Sequence, residues 1–327
     1  MTAPLVTRVT KADGAAVADA ARCLAAGGLV AFPTETVYGV GADATNGRAV
    51  ARLYEAKGRP SFNPLIAHVA DLAAAQALAR FDANAARLAK AFWPGPLTLV
   101  LPKAEGCQVA ELATAGLDSI AVRLPSHNVA QKLLAAFGRP VVAPSANRSG
   151  HVSPTTAGHV LADLRNRVEL VVDDGATPVG VESTIVSCWG EPMLLRPGGV
   201  PRAAIEHTLE RPLGEPPRGI APEAAPLAPG MLASHYAPRT RLRLNVRQIE
   251  PGEALLAFGP KLAAGAERAA SVLNLSARGD LVEAAANLFS HLRALDCTAK
   301  SIAVMPVPHE GLGEAINDRL ARAAAPR

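Results

Sequence analysis

The apolar run Leu29-Val30-Ala31-Phe32 ends at Pro33 and passes at once into Thr34-Glu35-Thr36-Val37-Tyr38-Gly39-Val40-Gly41. Four consecutive apolar residues closed by a proline read as a buried strand that stops there, since proline removes the N–H that a central strand must donate. Two threonine hydroxyls and a carboxylate then stand at the strand exit, where open α/β sheets present groups to ligands. An ordinary strand-to-loop turn would use the same residues. What separates the two readings is whether the pattern recurs along the chain.

It does recur. Runs of strand length lie at Leu65–Val69, Leu97–Leu101, Ser119–Leu124, Val141–Ala143, Glu169–Val172, Ser183–Ser187 and Met193–Arg196. Helical periodicity fills Ala15–Ala26, Arg48–Ala56, Leu72–Leu78, Ala83–Phe92, Val129–Phe137, Thr156–Leu164 and Ala203–Leu209. The first of these helices stops at Gly27-Gly28, a good C-terminal cap. Strands and helices mix without strict alternation, and the late strands follow one another across turns alone. The fold class is therefore α/β: a mixed, twisted sheet with helices packed on it. Hydrophobic residues make up 49% of the chain and aromatic ones only 4%, so its cores are packed by aliphatic side chains.

Between Arg211 and Pro238 the pattern lapses. Prolines at 212, 216, 217, 222, 226, 229 and 238 mark a semi-rigid linker, long enough at about 3.1 Å per extended residue to cross the face of a domain. Strands at Leu242–Val246, Ala254–Phe258, Ser271–Leu275 and Ile302–Pro306, with helices at Leu281–Leu295 and Leu312–Ala324, then form a small three-layer α/β unit. The expected organisation is a first domain over 1–210, a linker or lid over 211–238, and a second domain over 239–327.

Several classes are set aside by composition. Cys23, Cys107, Cys188 and Cys297 show no metal-ligand spacing and no C-x-x-C, so no metal site is expected. No apolar run approaches the roughly 18 residues of a membrane span, and the N-terminal segment has no signal-peptide core, so a cytoplasmic location is expected. The formal net charge of +4 suits an anionic small molecule. It comes without the Lys/Arg block of a dedicated nucleic-acid binder.

Five polar segments punctuate the first domain beside strand ends: Thr34-Glu35-Thr36; Lys57-Gly58-Arg59-Pro60 with Asn63 and His68; Arg123; Ser145-Ala146-Asn147; and Glu182-Ser183-Thr184 with Arg196. Four of these groups, Lys57, Arg59, Arg123 and Arg196, are cations in a chain that is 19% charged. Each alone fits a solvated surface residue. Together at strand ends, with Gly and Pro fixing the backbone around Arg59 and Arg196, they suggest a pocket for a polyanion such as a triphosphate. His68 fits a satisfied core histidine equally well, and Ser145 fits either a helix cap or a phosphate donor. Gly39-Val40-Gly41-Ala42-Asp43-Ala44 matches a dinucleotide-binding G-x-G-x-x-A. The helix expected at its second glycine is interrupted, and no acidic strand end follows about 20 residues on. A Walker A loop is absent from the sequence.

The segments FPTETVYGVG, KGRP with NPL and His68, FWPGPLT, AVRLP, APSANRSG, GVESTIV, LLRPGG and APGMLASHYAP, in this order, resemble the YrdC-type L-threonylcarbamoyladenylate synthases in their long, two-domain form. The motifs span residues 15–238; the remainder is similar mainly in length and pattern. The resemblance implies a YrdC-like first domain and a small Rossmann-like second one. It implies the reaction L-threonine + bicarbonate + ATP to L-threonylcarbamoyl-AMP, pyrophosphate and water. ATP is then a substrate, with Mg²⁺ on its phosphates. A downstream tRNA threonylcarbamoyl transferase complex consumes the product to form t6A at position 37 of tRNA, and any direct tRNA contact is weak.

By position, Thr36, His68, Arg123, Ala143 and Ser183 are the implied threonine contacts, with Arg123 on the substrate carboxylate. The resemblance implies that at Ala143 the backbone or a small side chain meets threonine, a position where a hydroxyl is common in the family. Lys57, Arg59, Asn63, Ser119, Ser145, Asn147, Ser153, Arg196, His235 and Tyr236 are the implied ATP contacts, Lys57 and Arg59 the catalytic pair, and the linker is implied to close the pocket. Two other readings compete: an RNA-binding module using the same basic concavity, which the scarcity of aromatic residues disfavours, and a nicotinamide oxidoreductase built on GVGADA.

Overall fold

The computed structural model describes residues 5–216 and 236–326. Ten strands of the first part form one mixed sheet: β1 (Arg8–Lys11), β2 (Val30–Pro33), β3 (Tyr38–Asp43), β4 (Ile66–His68), β5 (Leu97–Pro102), β6 (Ser119–Arg123), β7 (Val141–Val142), β8 (Leu170–Asp173), β9 (Thr184–Ser187) and β10 (Met193–Arg196). Their order is β1-β8-β2-β3-β7-β4-β6-β5-β9-β10. Parallel pairs such as β4/β6 and β5/β9 alternate with antiparallel ones such as β3/β7 and β5/β6. The helices are α1 (Gly14–Ala25), α2 (Gly47–Lys57), α3 (Leu72–Leu78), α4 (Ala83–Phe92), α5 (Asn128–Phe137), α6 (Ala157–Leu164) and α7 (Arg202–Leu209). Aspartate, asparagine or threonine side chains cap the N-termini of α1, α2, α3, α4 and α6.

Two strands escape the sequence reading. β1, Arg-Val-Thr-Lys, is a short charged edge strand paired with β8, largely exposed and without an apolar run to betray it. β3 is the larger correction. The glycine-rich segment after Thr36 is no loop but a fully buried central strand, antiparallel to β2 from Pro33↔Tyr38 to Val30↔Gly41. A Cβ on Gly41 would lie 2.8 Å from both the Phe32 ring and Val141, so the glycine is there to let three strands pack closely. Gly39 and Gly41 thus sit inside a hairpin, not at a strand-to-helix turn. That removes the structural basis of the dinucleotide reading.

The second sheet, wholly parallel, runs β11-β14-β12-β13 with β11 (Arg241–Arg243), β12 (Glu253–Ala257), β13 (Val272–Asn274) and β14 (Ser301–Val304). Helices α8 (Leu281–Leu295) and α9 (Gly313–Ala324) share one face, over Ala254, Leu256, Ile302 and Val304. The other face, Leu255, Ala257 and Ala303, is covered by Val246, Ile249 and Ala263. The third layer expected from the sequence is therefore an irregular segment with a one-turn helix instead of a full helical layer.

The two parts share a core. Val37, Val152 and Val181 of the first part pack into the apolar cluster of α8 and α9 together with Tyr236. Gly180 has a left-handed backbone (φ +77), and a Cβ there would lie 2.3 Å from the Ala285 carbonyl of α8. The helix is seated directly on this glycine. Most of the linker expected over 211–238 lies outside the described residues. Among the described residues no helix is long and apolar enough to cross a membrane.

Candidate active site

Strand ends of the large sheet converge on one cavity, lined by Thr36, Val37, Arg59, Ile66, His68, Arg123, Ala143, Pro144, Ser145, Glu182, Ser183, Arg196 and Tyr236. All five polar segments singled out in the sequence reach its wall. The described residues leave it a cavity volume of about 50 Å³.

Local structure explains each placement. α2 begins at Asn46, whose side chain accepts from the Arg48 and Ala49 N–H groups, and ends at Gly58, left-handed at φ +60. That turn throws Arg59 back toward the sheet, where its guanidinium donates to the main-chain carbonyls of Asn63 (3.3 Å) and Pro64 (3.0 Å). Carbonyls, not a carboxylate, hold this half-buried cation. Burial lowers its pKa to about 10, which leaves it charged at neutral pH.

Thr34 shapes the β2–β3 turn: its hydroxyl donates to the Val37 carbonyl at 2.7 Å, and the Thr36 and Val37 N–H groups point back to it. Thr36 and Glu35 then face Arg123 at the end of β6. Arg123 donates to Glu35 Oε1 (2.5 Å), Thr36 Oγ1 (3.1 Å) and the Gly95 carbonyl (3.3 Å). The Glu35–Arg123 pair is buried on both sides. Burial acts to raise the Glu35 carboxyl, but Arg123 outweighs it and holds the group below its ordinary range. The second carboxylate oxygen accepts from the Ser126 N–H at 3.1 Å. The guanidinium plane is thereby fixed from behind, a role for Glu35 that the sequence did not single out.

His68, at the end of β4, has its Nδ1 3.2 Å from the Ile66 carbonyl. Burial, and then the nearby Arg123 charge, push its pKa down to about 3, so the ring is neutral at working pH. Arg196, at the end of β10, donates to the Ser183 carbonyl (3.1 and 2.9 Å) and to the Ser183 hydroxyl (3.2 Å), which also meets Thr98 at 2.7 Å. Gly198 permits this approach, since a Cβ there would lie 2.4 Å from the Glu182 carbonyl oxygen.

Other named residues stand off the wall. Lys57 is buried, and its Nζ donates to the carbonyls of Ser145 (2.6 Å) and Asn147 (2.5 Å), anchoring the loop that carries Ser145. Burial, with repulsion from Arg59 second, places its pKa well below the usual lysine range. Asn147 accepts from the Ser145 hydroxyl (2.5 Å) and donates to the Arg148 and His151 carbonyls. Ser153 donates to Glu182 at 2.5 Å. Asn63 and Ser119 are buried and do not line the cavity, and Asn63 Oδ1 has no hydrogen-bond partner among the described residues. His235 lies outside the described residues. Tyr236 lines the cavity, its ring buried and stacked on Phe289 of α8 at 5.7 Å.

Residues 22–198 match the Sua5_yciO_yrdC family model, described as telomere recombination, and residues 200–325 match the model of the threonylcarbamoyl-AMP synthase C-terminal domain. A threonylcarbamoyl-AMP synthase of Pyrococcus abyssi is 43% identical over 322 residues, covering 92% of each chain. That of Bacillus subtilis is 40% identical over 329 residues, covering 95% of this chain and 93% of the relative. The crystal structure of P. abyssi Sua5 complexed with L-threonine has a TM-score of 0.86 at 39% identity, covering 98% of this chain and 97% of that one. Escherichia coli YciO, with a TM-score of 0.52 at 21% identity over 59% of this chain, is alike in fold. The chain belongs to the Sua5–YciO–YrdC family, in the form that also carries the threonylcarbamoyl-AMP synthase C-terminal domain.

Proposed function

We infer that this protein is an enzyme that converts L-threonine, bicarbonate and ATP into L-threonylcarbamoyl-AMP, pyrophosphate and water, a nucleotidyl transfer. The observation that carries the reading is the convergence of Arg59, Arg123 and Arg196 with Thr36, His68, Ser145 and Ser183 on one cavity. This occurs in a chain 43% identical to a threonylcarbamoyl-AMP synthase over almost its whole length. In the reaction, the threonine amine takes up bicarbonate to give a carbamate and water. A carbamate oxygen then attacks the α-phosphorus of ATP in line, and pyrophosphate leaves with the bonding electrons. No covalent work falls to the protein; positioning and charge stabilisation supply the rate.

The threonine niche is assigned to Thr36, His68, Arg123, Ala143 and Ser183. Arg123, held flat by Glu35, offers its remaining N–H groups to the substrate carboxylate. Neutral His68 serves as a hydrogen-bonding wall and not as a second cation. Val37, Ile66 and Ala143 provide apolar contact for the substrate methyl. Arg59, Ser145, Arg196 and Tyr236 face the nucleotide, Arg59 as the charge on the phosphates. Lys57, through its grip on the Ser145–Asn147 loop, sets that face. Asn63, Ser119, Asn147 and Ser153 are assigned to the nucleotide beyond the present wall. His235 joins them from the linker.

No three His, Cys, Asp or Glu side chains cluster as metal ligands among the described residues. Glu35 and Glu182 are engaged by arginines. Mg²⁺ accordingly enters as part of the ATP substrate. The product is a mixed anhydride that a cytoplasmic transferase acting on tRNA would consume. The test is pyrophosphate release from ATP by the purified chain. Release that requires both threonine and bicarbonate is expected; release indifferent to either, or none, overturns the reading.

A further inference from the structure

The wall residue Glu182 faces a cavity proposed to receive a triphosphate, yet it is itself an anion. Behind it, from α9, Arg319 donates Nε to Glu182 Oε2 at 2.8 Å. Arg319 is fully buried and is the largest fully buried side chain among the described residues. Its Nη1 donates to Asp318 at 2.6 Å, its guanidinium carbon lies 5.1 Å from the Tyr236 ring centroid, and its Nη2 has no hydrogen-bond partner among the described residues. Burying a guanidinium is costly unless it is paired, and Glu182 and Asp318 are the carboxylates that pair with this one. On the other oxygen, Glu182 accepts from Ser153. The Ser153 main chain is gripped in turn from α8: Arg293 donates to the carbonyls of Val152 and Ser153 and pairs with Asp163 at 2.6 Å. Two arginines of the second domain thus bracket the Ser153–Glu182 hydrogen bond in the first.

We propose that Arg319 is a positioning residue for the reaction: it neutralises and fixes Glu182 and supports Tyr236, so that the anionic nucleotide meets a wall with no uncompensated negative charge. This rests on the ATP reading above and extends it to a residue of the second domain that does not line the cavity. The step it governs is nucleotide binding, because removing one partner of a buried pair strands the other charge. Here the charge left with Ser153 and the Arg196 guanidinium alone would be a carboxylate beside the phosphates.

The experiment uses the full chain and compares Arg319→Met, Arg319→Met with Glu182→Gln, and Arg319→Lys. The Michaelis constant for ATP should rise about tenfold or more in Arg319→Met, while that for threonine moves by less. Adding Glu182→Gln should recover most of the loss, because the stranded carboxylate is gone, and Arg319→Lys should fall between. Equal ATP dependence in Arg319→Met and the parent, or a double variant no better than the single one, overturns the proposal. If Arg319→Met fails to fold by thermal unfolding, Arg319→Lys alone and with Glu182→Gln carries the same comparison. A parent protein that releases no pyrophosphate refutes the ATP reading instead. Amide hydrogen exchange over Val152–Ser153 and Val181–Ser183 then judges Arg319 directly, faster exchange in the variants supporting it and unchanged exchange refuting it.

Discussion

The two sheets treat polar residues in opposite ways. In the ten-stranded mixed sheet, strand ends deliver Thr36, His68, Arg123, Ser183 and Arg196, all buried, to one cavity. In the four-stranded parallel sheet the strands bury Glu253, which is matched locally by Arg243 at 2.6 Å, and otherwise mainly aliphatic residues. A parallel sheet sandwiched on both faces has its interior filled. The second domain reaches the site through side chains of its helices, Arg293, Arg319 and Phe289, and not through its strand ends. One sheet builds a site, and the other supplies its backing.

The strongest challenge to this contrast is to delete one cation from each region. Arg59→Ala should lower kcat/KM for ATP by about 100-fold, as for two charge-assisted hydrogen bonds of about 1.5 kcal/mol each, with the fold retained at a modestly lower thermal midpoint because the Asn63 and Pro64 carbonyls lose their donor. Arg278→Ala, at an exposed position of the second domain, should leave steady-state kinetics within twofold. A comparable loss in both variants would erase the distinction. Next, Gly180→Ala tests whether the backing must sit where it does. The added methyl meets the α8 backbone at 2.3 Å on a left-handed residue. Chemical denaturation should show about 1–3 kcal/mol of destabilisation, with a parallel fall in turnover. Undiminished activity at full stability would show that α8 is free to move.

A third measurement sharpens the electrostatics of the mixed sheet. His68 titrates at about 3 in the fold against 6.5 as an ordinary histidine. Between those values the unfolded chain binds a proton that the fold refuses. Stability is therefore fully present above pH 6.5 and falls with acid by up to about 1.4 kcal/mol per pH unit through that window. His68→Gln should flatten the slope between pH 6.5 and 5 in urea titrations; an unaltered slope would place the titration elsewhere. The smallest effect belongs to the edge. Lys11→Ala removes an exposed pair with Asp173 and should cost less than about 1 kcal/mol without touching turnover.

Much of this was legible residue by residue. Helices such as Ala83–Phe92 and Leu281–Leu295 announce themselves by apolar periodicity and an N-capping aspartate, both local signals. The polar clusters at strand ends were visible for the same reason. β3 was not, because glycine reads as a breaker unless one knows that Phe32 and Val141 press on it from neighbouring strands. Lys57 looked like Arg59 in sequence, yet its ammonium is spent on two carbonyls of a loop some 90 residues away. Arg319 did leave a trace: it falls on the apolar stripe of Ala315, Ile316, Leu320 and Ala323, where a charge is out of place. Its buried partner Glu182, 137 residues distant, explains it.

Short-range chemistry alone settled most of the elements, the aliphatic cores and the set of candidate cations beside them, because periodicity, capping and the chain-stopping of proline act within a few residues. Tertiary structure decided which of those cations face the cavity, which are consumed by carbonyls, and that a second domain balances a carboxylate in the first. Those outcomes depend on burial and on charges brought together from far along the chain, and neither exists until the chain has folded.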